Sequence, residues 1–212
     1  MQIPADSRLI MIGDSVTDCG RARPVGTGSG LGHGYVAEVD LRLRALHPDR
    51  PVRVFNLGVG GDTVRDLAAR WETDVLALRP DWLSVMIGIN DVWRFFDPDP
   101  LKQAQAVLPE EYEATYDALL LRVRPQLNGL VLLTPYFIEP SKADAMRARM
   151  DAYGAIVKGL AARHRARLAD TQAAFDRHLI SQPSSALAPD RVHPTQAGHQ
   201  ILAQAFLAAV AV

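Results

Sequence analysis

Four short apolar runs punctuate the chain: Leu9–Ile12, Val52–Phe55, Trp82–Ile87 and Leu130–Leu133. Each spans four to six residues, and most end in Gly, Asn, Asp or Thr-Pro. Runs this short and this continuously apolar predict strands covered on both faces, as in parallel sheets. Ala166–Ala169 is a weaker fifth candidate. Between the runs the spacing changes to three and four. Tyr35–Leu46 repeats through Val36, Val39, Leu43 and Leu46, and Thr63–Leu78 through Leu67, Trp71, Val75 and Leu78. Glu111–Val123 carries Tyr112, Tyr116, Leu119, Leu120 and Val123, and Ala143–His164 carries Met146, Met150, Tyr153, Val157 and Leu160. A last helix starting at Pro194 carries Ala197, Ile201, Ala205 and Phe206. Strands alternating with amphipathic helices predict an α/β fold, with helices on both faces of a mostly parallel sheet.

No internal repeat or low-complexity linker divides the 212 residues, so one domain over 1–212 is expected. Phe96–Pro100 reads as a surface loop within the alternation. Hydrophobic residues make up 48% and charged residues 22%, ordinary for a globular chain. Twenty-three Lys and Arg against 24 Asp and Glu leave a net charge of −1, no footprint for non-specific nucleic-acid binding. The single cysteine, Cys19, excludes an internal disulfide and a Cys-based zinc site. The N-terminus lacks a basic region followed by a long apolar stretch, and no segment approaches the ~18 apolar residues of a membrane span, so a cytoplasmic protein is expected. The apolar Ile201–Val212 reads as a packed terminal helix.

Right-handed crossovers gather the C-terminal ends of parallel strands on one edge, where open α/β sheets bind ligands. After the first run comes Gly13-Asp14-Ser15, and after the second Asn56-Leu57-Gly58-Val59-Gly60-Gly61-Asp62-Thr63. The third is followed by Gly88-Ile89-Asn90-Asp91, and late in the chain stands Asp190-Arg191-Val192-His193-Pro194. Taken singly, Ser15 also reads as a helix cap, the glycines and Asn90 as turns, and His193 as a structural residue before a helix-opening proline. Placed together on one edge they supply a hydroxyl nucleophile, a base, a carboxylate and donors for developing negative charge, the set acyl transfer requires. Competing signatures fail. Thr63 stands where G-x-G-x-x-G needs its last glycine, and no Walker A loop, H-E-x-x-H or G-x-S-x-G elbow occurs.

These blocks resemble the SGNH (GDSL-type) hydrolase superfamily of esterases and lipases, in its order and across residues 13–193. The resemblance implies its fold, a flavodoxin-like three-layer α/β/α sandwich with a five-stranded sheet. It also implies Ser15 as nucleophile, Asp190 and His193 as the rest of a triad, and an oxyanion hole from the Ser15 and Gly61 N–H groups with the Asn90 amide. No metal or cofactor is required. Two departures stand out: Val16 replaces the leucine of GDSL, and Gly60 replaces a common serine, which leaves Gly61 preferred over Gly60 as donor. Ile12–Pro24, Thr63–Val75, Gly88–Arg94 and Asp190–Pro194 further resemble intracellular bacterial acetylxylan esterases. That likeness implies small acetylated sugars as substrates and a homo-oligomer. A general short-chain esterase, lysophospholipase or thioesterase on the same triad is the alternative reading. A non-catalytic carbohydrate- or nucleotide-binding domain is the alternative from another class. Asp14 is expected to order the Ser15 turn, and it is also a candidate substrate contact together with Tyr35, Trp93 and Arg94, which flank the edge.

Overall fold

In a computed structural model that describes residues 2–210, the five expected runs form the parallel strands β1 (Arg8–Gly13), β3 (Arg53–Asn56), β4 (Trp82–Met86), β5 (Gly129–Leu133) and β6 (Arg167–Ala169). A sixth strand, β2 (Gly26–Thr27), corrects the expected count. It pairs antiparallel with β3 at the sheet edge, giving the order β2-β3-β1-β4-β5-β6. Two residues in a glycine-rich stretch carry no periodicity from which a strand could be read.

Among the described residues, ten α-helices connect the strands or follow the last of them: α1 (Ser15–Asp18), α2 (Tyr35–Leu46), α3 (Val64–Trp71), α4 (Ile89–Trp93), α5 (Pro100–Gln103), α6 (Pro109–Val123), α7 (Ala145–Arg163), α8 (Thr171–Leu179), α9 (Ser184–Leu187) and α10 (Gln196–Val210). The helical pattern expected through Leu78 widens into a π turn over Glu72–Leu76 after α3. Residues 211–212 of the expected terminal helix lie outside the described residues.

The pleat explains why the strands read as unbroken apolar runs. Alternate β1 residues point to opposite faces. Ile10 and Ile12 join Leu67, Trp71, Tyr112, Tyr116, Tyr153 and Val157 in a core beneath α3, α6 and α7. Leu9 and Met11 join Tyr35, Val39, Phe175, Leu202 and Phe206 in a second core beneath α2, α8 and α10. With both faces covered, polar side chains are few along the strands: Asn56 finds buried partners, while the Ser84 hydroxyl in β4 is buried without one. The strand order also locates the crevice. From β1 the chain steps to β3 on one side and then crosses to β4 on the other, so the connections leaving the paired ends of β1 and β4 run in opposite directions and leave a crevice where the order reverses.

Candidate active site

At that reversal, β1 ends in Gly13 and the chain turns at once into α1. Glycine is obligatory there, because a Cβ on Gly13 would sit 2.2 Å from the Met86 carbonyl oxygen of the neighbouring strand. Asp14 caps the turn. It is 1% exposed, and its Oδ1 accepts the Val16 N–H at 3.0 Å. Burial pushes its carboxyl up to about 7 despite that hydrogen bond. Asp14 therefore orders the Ser15 turn, as expected, but it is sealed from any substrate.

Ser15 opens α1, with its Oγ 3.0 Å from His193 Nε2. His193 Nδ1 lies 2.7 Å from Asp190 Oδ2, while Asp190 Oδ1 accepts the backbone N–H groups of Val192 (3.0 Å) and His193 (2.8 Å). Partial burial raises the Asp190 carboxyl, but the His193 ring and these two N–H groups outweigh it and hold the group below its usual range. The His193 and Asp190 side chains are 48% and 44% exposed, so this relay sits on an open shelf. The Trp93 ring stands beside it, 6.0 Å from the His193 ring and tilted by 54°.

Facing the shelf is the loop after β3, where Gly61 adopts φ +86°, the left-handed region that suits glycine. Asn90, on α4, donates its amide Nδ2 to the Asp62 carbonyl at 2.9 Å. One amide hydrogen remains for another acceptor. The Gly60 N–H is engaged by Asp18 Oδ2 at 3.2 Å. Among the described residues, the Ser15 and Gly61 N–H groups donate to no atom of the protein.

Two more of the candidate substrate contacts bond within the chain. Tyr35 is fully buried, its hydroxyl 3.0 Å from Thr17 Oγ1 inside the α2 core; its large apolar ring is a core residue rather than part of the site edge. Arg94 is at the edge, but both terminal nitrogens are engaged within the chain: Nη2 with the Gly61 carbonyl (2.9 Å) and Nη1 with Gln105 Oε1 (2.6 Å).

The residues that hold the site were not singled out from the sequence. Asn56, fully buried at the end of β3, donates to the Thr17 carbonyl (2.7 Å) and the Leu31 carbonyl (2.8 Å), and accepts the Gly58 N–H (2.9 Å). Arg70, on α3, bonds Asp62, Asp74 and the carbonyls of Leu57 and Gly13, so it ties the first block to the second. Arg21 Nε donates to the Gly58 carbonyl at 2.6 Å. The available signal was faint: a polar residue closing a buried strand, and an arginine beside the Leu67–Trp71 apolar stripe.

The chain belongs to the GDSL-like lipase/acylhydrolase family, which it matches over residues 11–201. It is 52% identical over 209 residues to an acetylxylan esterase of Geobacillus stearothermophilus, covering 98% of this chain and 95% of the relative. The crystal structure of that organism's acetylxylan esterase Axe2 superposes with a TM-score of 0.96 at 51% identity, covering 100% and 97% of the two chains. Structures of its Ser→Ala, His→Ala and Asp→Ala catalytic mutants match equally well, with TM-scores of 0.96 to 0.97. LAE5, an alpha/beta hydrolase enzyme from the metagenome of Lake Arreo in Spain, matches with a TM-score of 0.94 at 52% identity over 98% of this chain and 96% of its own.

Proposed function

We propose that this chain is a one-domain serine esterase that removes acetyl groups from xylo-oligosaccharides or similar acetylated sugars. One observation carries the chemistry: the continuous relay from Ser15 Oγ to His193 Nε2 (3.0 Å) and from His193 Nδ1 to Asp190 Oδ2 (2.7 Å). Ser15 attacks the ester carbonyl while His193 takes its proton. Asp190, kept ionised by the bonds it accepts, orients the ring and stabilises the imidazolium. The tetrahedral oxyanion is received by the N–H groups of Ser15 and Gly61 and by the free hydrogen of the Asn90 amide. Gly61 rather than Gly60 is the donor, because Asp18 already occupies the Gly60 N–H. As the tetrahedral intermediate collapses and the ester C–O bond breaks, the His193 imidazolium gives its proton to the departing sugar oxygen, which leaves as a hydroxyl. In the second half His193 activates water against the acetyl group on Ser15, and the same oxyanion donors act again.

The substrate class rests on the likeness to the acetylxylan esterase and agrees with a shelf that leaves the sugar outside. A near-neutral chain is suited to an uncharged ester. The same reading takes the enzyme to be a cytoplasmic homo-oligomer, as its resemblance implies. No described helix is long and apolar enough to cross a membrane, and sedimentation of the purified protein would give the assembly.

The test has two parts. Ser15→Ala should abolish turnover of p-nitrophenyl acetate and labelling by a fluorophosphonate while the melting curve stays cooperative; normal turnover in this variant ends the serine-esterase reading. Acetate release from acetylated xylo-oligosaccharides should exceed that from other acetylated sugars, and activity should fall as the acyl chain lengthens. Preference for long acyl chains would replace the sugar-ester reading by a lysophospholipase or thioesterase one.

A further inference from the structure

We infer that Arg94 is a positioning residue for the oxyanion hole, and that with Asn90 it forms a two-pronged clamp on the glycine loop that presents the Gly61 N–H. The inference rests on the esterase reading above and gives Arg94 a role other than substrate binding.

The Gly61 N–H belongs to the peptide unit joining Gly60 to Gly61. Nothing in those two residues restrains its rotation. A Cβ on Gly61 would meet no atom within 4 Å, and one on Gly60 would only touch Ser15 and Asp18 at 3.8 and 4.0 Å. Two adjacent glycines leave both torsions flanking this unit soft, so the donor's direction must come from elsewhere. It comes from both sides. The peptide unit before it is pinned where Asp18 Oδ2 accepts the Gly60 N–H at 3.2 Å. The unit after it is held on both edges, where its Asp62 N–H closes a turn onto the Val59 carbonyl at 3.3 Å and where Arg94 Nη2 donates to its Gly61 carbonyl at 2.9 Å, and the next unit is held where Asn90 Nδ2 donates to the Asp62 carbonyl at 2.9 Å. With both neighbours fixed, the one motion left to this unit is a counter-rotation of ψ at Gly60 and φ at Gly61; releasing either neighbour adds the freedom to tilt the N–H as well.

The clamp is rigid at its base. Asn90 and Arg94 are four residues apart, on α4 and on the 3₁₀ turn that continues it over Arg94–Phe96, so they project from one face. Arg94 is braced in turn: Nη1 donates to Gln105 Oε1 at 2.6 Å, and the Gln105 carbonyl accepts from Arg65 Nη1 at 3.3 Å. Arg65 is itself paired with Glu111 through two short bonds, 2.5 and 2.6 Å. Each terminal nitrogen of Arg94 spends one donor on the chain, and its Nε is buried with no hydrogen-bond partner, so the group is aimed at the loop carbonyl rather than outward.

The discriminating experiment is steady-state kinetics of Arg94→Ala and Arg94→Lys on p-nitrophenyl acetate, with Ser15→Ala and Asn90→Ala measured alongside. Arg94→Ala should lower kcat by about tenfold to a hundredfold, the scale of a sub-ångström loss of donor alignment. Its KM should stay within about twofold, because the lost interaction acts on the transition state. Millimolar guanidinium should restore part of the kcat of Arg94→Ala, and Arg94→Lys should fall between that variant and the wild type. A rise in KM at constant kcat would make Arg94 a substrate contact and overturn the inference. Unchanged kinetics, or a loss in kcat that neither guanidinium nor lysine relieves, would overturn it as well. If Ser15→Ala stays active or Asn90→Ala turns over normally, the esterase or oxyanion reading falls and takes this one with it. If those two are impaired and Arg94→Ala is not, only the clamp is wrong.

Discussion

Asp91→Asn isolates one buried carboxyl beneath the oxyanion shelf. Asp91 follows Asn90 on α4 and is 0% exposed. Its Oδ1 accepts the Val64 N–H at 2.9 Å, which ties α4 to the start of α3. Its Oδ2 is buried with no hydrogen-bond partner. Burial therefore outweighs the single bond and pushes the group from the ordinary 3.8 up to about 7. Between those two values the folded protein keeps a proton that the unfolded chain has released. Folding stability contributed by this group must therefore fall as pH rises through the window, then level off above about 7. At ~1.4 kcal/mol per pH unit, the loss from pH 5 to pH 7 is about 2–3 kcal/mol.

Other buried groups contribute to the same window, so the wild-type curve alone does not isolate Asp91. Asp14, pushed to about 7 mainly by burial and further by the Asp91 charge, acts in the same direction. His199 acts oppositely. Burial holds it down to about 4, so it stays neutral where the unfolded chain is protonated, and its contribution is lost as pH falls from about 6.5 toward 4. The difference between wild type and Asp91→Asn removes His199, and removes Asp14 except for the part of its shift that the Asp91 charge supplies. Asparagine keeps the shape and the Oδ1 acceptor for Val64 and cannot ionise. Urea unfolding at half-unit steps from pH 5 to 8.5 should show the wild type losing about 2–3 kcal/mol relative to the variant by pH 7, with no further divergence above pH 7.5. Parallel curves over the whole range would show that Asp91 does not carry a raised pKa and would refute the burial argument.

Asn90→Ala should lower kcat for p-nitrophenyl acetate by ~10²–10³ with a small change in KM, and a wild-type kcat would exclude its amide from the oxyanion hole. Asp190→Asn should reduce kcat by roughly 10⁴, because an amide at Oδ2 favours the wrong imidazole tautomer; a loss below about tenfold would make the carboxylate dispensable. Arg70→Met should destabilise the fold by on the order of 3 kcal/mol, since Asp62 and Asp74 lose their partner and the Gly13 and Leu57 carbonyls lose a donor; unchanged melting would show that these bonds are not needed to join the two blocks.

What was legible in the sequence follows from which forces repeat along the chain. The parallel strands were visible because burial on both faces requires four to six apolar residues in a row, and α2 was visible to the residue, Tyr35–Leu46, because one stripe packs on the sheet. The short elements were not. α4 is a turn and a half placed by the Asp91–Val64 bond, and β2 is held by two residues of edge pairing; neither has room for a period. At the site, Ser15, Asn90, Asp190 and His193 are singly ordinary cap and turn residues, and they stood out because all four fall on one edge as a nucleophile, a donor, a carboxylate and a base. Asn56, Arg21 and Arg70 did not, because they act on backbone carbonyls brought near only by the fold. Tyr35 was misplaced because an aromatic at the start of a helix reads the same whether it lines an edge or fills a core.

The site therefore separates into two kinds of groups with opposite solvent requirements. In the proposed mechanism the groups that change charge or covalent state, Ser15 and His193, stand with the ionised Asp190 on the open shelf, where ester and water can reach them. Those that give them direction are buried, or engaged wholly within the chain: Asp14 under the nucleophile turn, Asn56 under the glycine loop, Asp91 under Asn90. An open triad cannot rely on a tight pocket to align its substrate, so alignment has to be built into the backbone donors themselves. A loop with adjacent glycines leaves room for the oxyanion but has no stiffness of its own. Stiffness is supplied by charged and amide side chains that grip its carbonyl and N–H groups, Arg70 and Arg21 from below and Asn90, Asp18 and Arg94 from the rim. On this account, substitutions among the gripping residues should depress kcat in proportion to how near their bond lies to the Gly60–Gly61 peptide, with KM left nearly constant throughout the series.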